Sequence, residues 1–263
     1  MARKMPVLFV GHGSPMNIIM DNSYTRALAA LGKELPRPTA IMVVSAHWLT
    51  RGTAVTCAER PRTIHDFYGF PEELYAVSYP CAGAPDAARK AIETVRSVPV
   101  ACDRAWGLDH ASWAVLRHVY PGADVPVFEM SLDYRFGEWN PKPLRYHYDL
   151  AGELALLRRQ GVLIVGSGNI VHNLRALVRG PTAPYDWAED FDERAAKAIS
   201  RRDFRALAKP LSLARTLPLA HPTLEHYLPV LFPLGVADEK DELSFFNASI
   251  DMGSISMRSF VLG

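Results

Sequence analysis

The stretch Gln160-Gly161-Val162-Leu163-Ile164-Val165 ends a helix and begins a strand with no loop between them. Residues 143–160 carry apolar side chains at helical spacing, and Gly161 stands where a left-handed residue commonly terminates a helix. The four apolar residues that follow show no polar alternation, the mark of a strand covered on both faces. Working outward, residues 7–10 and 41–44 repeat the continuous apolar run, and residues 54–57 and 125–130 read as further strands. Between and beyond them, residues 23–35, 85–98, 112–120, 188–207 and 223–234 read as helices, with Ser112 as a candidate cap. Weak alternation over 244–262 predicts closing strands. Strands taking turns with helices build βαβ units. The expectation is an α/β fold, one domain over residues 1–263, with a central mixed, largely parallel sheet flanked by helices.

Composition narrows the function classes. The 263 residues are 49% hydrophobic and 22% charged, so a large core needs no staples. Lys+Arg 29 against Asp+Glu 28 leaves a net charge of +1, without the basic excess of a nucleic-acid binder. No run approaches the ~20 apolar residues that span a bilayer. The basic start, Met1 to Met5, is followed by an apolar run too short for a signal-peptide core. The three cysteines, Cys57, Cys81 and Cys102, lack C-x-x-C spacing, which argues against a disulfide framework or a Cys-rich zinc site. A soluble protein of the reducing cytoplasm is expected, with small-molecule partners and no nucleic acid or membrane.

Nine histidines are present, and their placement is informative. His12 and His47 follow the apolar runs at 7–10 and 41–44, and His172 comes shortly after 162–165. Ligands of open α/β sheets bind beyond the carboxyl ends of the strands. Three strand ends each delivering an imidazole to that edge point to a metal centre, because neutral imidazole is the commonest ligand for zinc and non-haem iron. Further along, spacing leaves His221, Glu225 and His226 open as an additional ligand, and His110 precedes a helix. His65, His118 and His147 have no comparable setting. Gly11-His12-Gly13 and Gly166-Ser167-Gly168 lack the third glycine of a dinucleotide fingerprint. Neither G-x-S-x-G nor H-E-x-x-H occurs.

Seven ordered motifs carry a resemblance that covers almost the whole chain. They are Gly-His-Gly-Ser-Pro-Met-Asn at 11–17, Leu-Pro-Arg-Pro at 35–38, Val-Val-Ser-Ala-His-Trp at 43–48 and Thr-Ile-His-Asp-Phe-Tyr-Gly-Phe-Pro at 63–71. Gly-Leu-Asp-His-Ala-Ser-Trp at 107–113, Ser-Gly-Asn-Ile-Val-His-Asn-Leu at 167–174 and Pro-Thr-Leu-Glu-His-Tyr-Leu-Pro at 222–229 complete the set. Together they resemble class III extradiol ring-cleavage dioxygenases of the DOPA-dioxygenase type, related to the catalytic subunit of protocatechuate 4,5-dioxygenase. The resemblance implies non-haem Fe(II) held by His12, His47 and His226, with Glu225 as the alternative to His226. It implies that His172 is the acid/base histidine, close enough in some relatives to count as a further ligand. His110 matches a second pocket histidine, in a motif where Ala111 stands for the usual glycine. The implied reaction inserts O2 into a catechol, DOPA or a relative, to give a ring-opened semialdehyde. Trp48, Phe67 and Tyr227 are candidate ring contacts. Zn(II) fits the same three imidazoles but has no redox chemistry. A zinc hydrolase and a metal-binding interaction protein of the Memo type are the alternative readings.

Overall fold

Among the described residues ten strands follow one another as β1 (Val7–Gly11), β2 (Ala40–Thr50), β3 (Thr53–Thr56), β4 (Val100–Asp103), β5 (Val127–Asp133), β6 (Val162–Gly168), β7 (Leu243–Phe246), β8 (Ile250–Asp251), β9 (Ile255–Ser256) and β10 (Ser259–Leu262). The computed structural model describes residues 4–134, 141–180, 182–209 and 215–263, so Met1 to Arg3 of the basic start lie outside the described residues. Eight strands form one sheet in the order β4-β3-β5-β2-β6-β1-β10-β7, and β8 pairs with β9 separately. The four central strands, β5, β2, β6 and β1, are parallel. β3 runs antiparallel to β5 on one side, and β10 runs antiparallel to β1 on the other. The expected mixed, largely parallel sheet is present.

Period-two alternation sorts each central strand onto two buried faces. Val7 and Phe9, Met42 and Val44, and Val162 and Ile164 pack on one face. The helices Pro85–Thr94, Pro141–Glu153 and Asp186–Ser200 cover it. Leu8 and Val10, Ile41 and Val43, and Leu163 and Val165 pack on the other face, under the helices Ser23–Glu34 and His110–Val119. Covering both faces is what removes polar alternation from these strands.

Several boundaries differ from the sequence expectation. Gly161 has the left-handed φ of 86° that the helix terminus requires, but the segment before it is two helices, Pro141–Glu153 and Ala155–Arg159. Residues 188–207 divide into Asp186–Ser200 and Phe204–Leu207, parted at Arg202 with φ 58°. Residues 223–234 are not one helix: a 3-10 turn, Leu228–Val230, leads into Leu231–Gly235. The helix after residue 109 starts at His110, and its cap is Asp109, not Ser112. The edge strand β4, half exposed and four residues long, has too little apolar pattern to read from sequence. The cysteine reading also needs correction, since Cys57 and Cys102 form a disulfide with Cα atoms 5.7 Å apart. Parallel pairing of β3 with β4 brings these two residues together across 45 positions, a proximity that spacing does not reveal. Among the described residues, no helix is long and apolar enough to cross a membrane.

One buried charge ties together the segments that lead into β1 and β7. Arg158 is 1% exposed, and its guanidinium donates to the carbonyls of Met5 and Val236 and to both carboxylate oxygens of Asp241, at 2.7–3.0 Å. Burial alone would raise the Asp241 pKa, yet the hydrogen bonds from Arg158 and Lys4 bring it down to about 2 from 3.8. A depressed carboxyl stabilises the fold above its unfolded pKa, and that stabilisation is lost as pH falls from about 4 toward 2. Asp241→Asn leaves Arg158 buried and half satisfied, at an expected cost of about 3 kcal/mol. Thermal melts at neutral pH and at pH 3 check this. The gap between wild type and variant is expected to narrow in acid, and an unchanged gap contradicts the assignment.

Candidate metal centre

Three separate segments bring imidazoles to the carboxyl ends of the parallel strands. His12 leaves β1 directly, and its N–H donates to the Gly168 carbonyl at the end of β6, 3.2 Å away. His47 does not follow β2, as the sequence implies, but lies within it. The pairing of β2 with β5 shifts register between Val44 and Leu49, and this irregularity carries His47 toward the site. Ser45 fixes the local backbone, accepting from the His47 N–H at 3.0 Å and donating to Asp109 Oδ1 at 2.7 Å. Asp109 also accepts from the Ser112 N–H at 3.2 Å as the helix cap, so the strand irregularity and the helix that begins with His110 share one anchor. His226 reaches the site because its carbonyl accepts from the Asn169 N–H at 2.8 Å, against Gly168, where a Cβ would overlap that carbonyl.

The rings of His12, His47 and His226 form a near-equilateral triangle, with centroids 5.4, 5.3 and 5.1 Å apart. One ligand atom of each lies within 4.8 Å of the others. Metal–nitrogen bonds of about 2.1 Å at tetrahedral angles put imidazole centroids about 5.2 Å apart, so the triangle already has the size of a metal site. Hydrogen bonding also selects the nitrogens. His12 Nδ1 meets Ser167 Oγ at 3.1 Å, but that hydroxyl gives its only hydrogen to the Ala111 carbonyl at 2.6 Å. His12 must therefore donate through Nδ1, which leaves Nε2 with a free lone pair. His47 Nδ1 faces Asp66 Oδ2 at 2.9 Å, and His226 Nδ1 faces Glu225 Oε1 at 3.3 Å, so both donate to carboxylates. His47 Nε2 is buried and has no hydrogen-bond partner among the described residues. A buried, orphaned imidazole nitrogen in a triangle of this size fits a divalent ion, and outer acceptors on the opposite ring nitrogens are the usual support for metal-bound histidines.

The surrounding charges favour neutral rings at two of the three corners and work against one at His47. Burial, and then the neighbouring imidazoles, push the His12 and His226 pKa values well below 6.5, so both rings are neutral near pH 7. Burial alone would lower His47 as well, but the Asp66 and Asp109 carboxylates raise it. Beneath the site, burial and the charge of Asp109 raise Glu129 well above the ordinary carboxyl range. Its oxygens accept from the Trp106 indole and the Asp109 N–H, each at 3.0 Å.

His110 stands beside this triangle, its ring centroid 4.3 Å from that of His47, with Phe67 packed 5.4 Å away on it. His172 stacks on His226, rings 3.5 Å apart and 4° from parallel. It groups with Glu225 and His226 rather than with His12 and His47. Burial, and then His221, lower its pKa to about 3, below the unperturbed 6.5. Of the two alternative ligands, Glu225 clusters with His172 and His226 outside the triangle, and His221 joins neither group. Glu225 accepts from Thr223 and from the outer nitrogen of His226, while His221 is fully buried with Nε2 2.6 Å from the Ile170 carbonyl. Of the candidate ring contacts, Phe67 adjoins the cluster. Tyr227 is core, its hydroxyl donating to the Leu207 carbonyl, and Trp48 is buried in a stack with Trp106. His147 is also fully buried.

Two residues escaped the sequence reading. Asp66 sits inside the motif at 63–71, yet only the fold shows that its carboxylate bridges His47 and His110. Ser167 fixes the His12 tautomer from within Gly166-Ser167-Gly168, where a serine between close-packing glycines was the available signal.

Comparison with known proteins gives a consistent result. Residues 7–253 match the family model described as the catalytic LigB subunit of aromatic ring-opening dioxygenase. A 4,5-DOPA dioxygenase extradiol of Escherichia coli is 45% identical over 99% of this chain and 95% of its own length. The protein of the same name from Beta vulgaris is 32% identical over 96% and 94%. The crystal structure of an uncharacterized Escherichia coli K12 protein superposes with a TM-score of 0.83 and 41% identity, over 98% of this chain and all of that one.

Proposed function

The chain belongs to the family of the catalytic LigB subunit of aromatic ring-opening dioxygenases, and from that premise we propose that it opens DOPA or a related catechol beside a non-haem iron(II) ion. That it is an extradiol ring-cleavage oxidoreductase follows from the family and from relatives that bear that name, and the family is metal-dependent. The substrate, the semialdehyde product, the choice of iron and the residue roles are the proposal. The observation that carries it is the triangle of imidazoles with Nε2 held free at His12, His47 and His226. These three hold the ion, and bound iron(II) supplies a redox-active centre where a catechol and O2 react together.

The remaining residues handle position and protons. His172 is neutral near pH 7 because its pKa is lowered to about 3, so a ring nitrogen is open to receive a proton from a catechol hydroxyl. A negatively charged bound ring favours the protonated imidazole, which retains that proton for return after ring opening. His110, oriented by Asp66 at Nδ1, presents Nε2 as a hydrogen-bonding group beside His47. Phe67 packs on His110 and limits its freedom.

Anaerobic reconstitution with iron(II), followed by a panel of catechols in air, tests the proposal. A yellow ring-opened product with one O2 consumed per catechol is expected for DOPA or a close relative. An iron-loaded protein that consumes no O2 with any catechol overturns it, and ester or amide hydrolysis by the zinc form without oxygen would favour a hydrolase.

A further inference from the structure

The Asp66 carboxylate serves two imidazoles with separate oxygens. Oδ2 lies 2.9 Å from His47 Nδ1, while Oδ1 lies 3.0 Å from His110 Nδ1 and 2.8 Å from the His110 backbone nitrogen. These are hydrogen-bond distances, and each ring meets Asp66 through Nδ1, which leaves its Nε2 unengaged by that carboxylate. The carboxylate is partly shielded, with 20% side-chain exposure. We infer that Asp66 is a positioning residue that sets the Nδ1–H tautomer of His47 and, through its other oxygen, ties that ligand to the orientation of His110. The inference deepens the metal-centre reading and rests on it.

An asparagine at this position separates tautomer control from mere packing. It keeps the size of Asp66 but has one acceptor oxygen and one NH2 group. Two donors from His110 converge at the Oδ1 position, so the amide oxygen belongs there and the NH2 group faces His47 Nδ1. His47 can accept that hydrogen bond only as the Nε2–H tautomer, which removes the lone pair from the nitrogen facing His12 and His226. Loss of such an outer partner typically weakens metal binding about 10–100-fold.

The experiment uses the metal-free full chain at alkaline pH, with imidazole nitrogens read by long-range proton–nitrogen NMR, and zinc(II) alone titrated against a competing chelator. Wild type is expected to show His47 as Nδ1–H. Asp66→Asn is expected to show it as Nε2–H, with the zinc dissociation constant raised about 10–100-fold. A wild-type His47 protonated at Nε2 overturns the inference without recourse to any variant, so a poorly folding variant does not shelter it. An Asp66→Asn protein that binds zinc as tightly as wild type, its His47 tautomer unchanged, overturns it as well. A wild type that fails to bind zinc at all sinks the metal centre itself, an outcome distinct from indifference to Asp66.

Discussion

His226→Ala is expected to strip the protein of its metal and reduce ring opening to background. His226 supplies one corner of a three-imidazole triangle whose sides differ by only a few tenths of an ångström. Removing a corner leaves two nitrogens, and the loss should exceed the about 10–100-fold typical of outer partners. The companion variant Glu225→Gln supplies the contrast. Glu225 lies beyond His226 and accepts from its Nδ1 at 3.3 Å, so the amide should weaken binding within the range of an outer partner and no further. Metal content after dialysis, measured on both variants, decides between them. If Glu225→Gln loses the metal and His226→Ala keeps it, the ligand assignment is reversed. The folded state offers a second measurement, because an ion held at about 100 times its dissociation constant stabilises the protein by about 2.7 kcal/mol. His226→Ala should lose the metal-dependent part of the melting temperature.

His172→Ala is expected to lower kcat about 10²–10⁴-fold with metal content unchanged. That range corresponds to about 3–5 kcal/mol of transition-state stabilisation. The separation of effects comes from geometry. His172 stacks on His226 and shares its surroundings, but the proposed ligand set of His12, His47 and His226 groups without it. Burial keeps its ring neutral near pH 7, with one ring nitrogen open to accept a proton. Turnover within threefold of wild type would remove it from the proton path. Parallel loss of metal and activity would make it a ligand instead.

The central fold was legible because its signal is local. Residues 7–10, 41–44 and 162–165 are apolar without alternation, and each became a strand buried on both faces. Gly161 marked its own boundary through a backbone conformation that glycine adopts freely. The histidines were visible as a set because sequence places them near strand ends, and His12, His47 and His226 do converge. The rest required partners distant in the chain. Asp66 lies in a segment without regular structure, and its role exists only where β2 and the helix at His110 meet. His47 looked like a residue after a strand because nothing in Val-Val-Ser-Ala-His-Trp announces a register shift against β5. Cys57 and Cys102 are joined by strand pairing, and the buried Arg158 looks in sequence like any charged residue near a helix end.

The antiparallel pairing of Val7 with Leu262 has a consequence for biosynthesis. The outer edge of β1 is covered by a strand made about 250 residues later. At about 5–20 residues per second, a ribosome takes roughly 10–50 s to close that gap. During this interval the nascent protein carries an unpaired apolar edge, the kind of surface that recruits neighbouring chains. Shielding of that edge until β10 is made is therefore expected to favour correct folding over association of neighbouring chains.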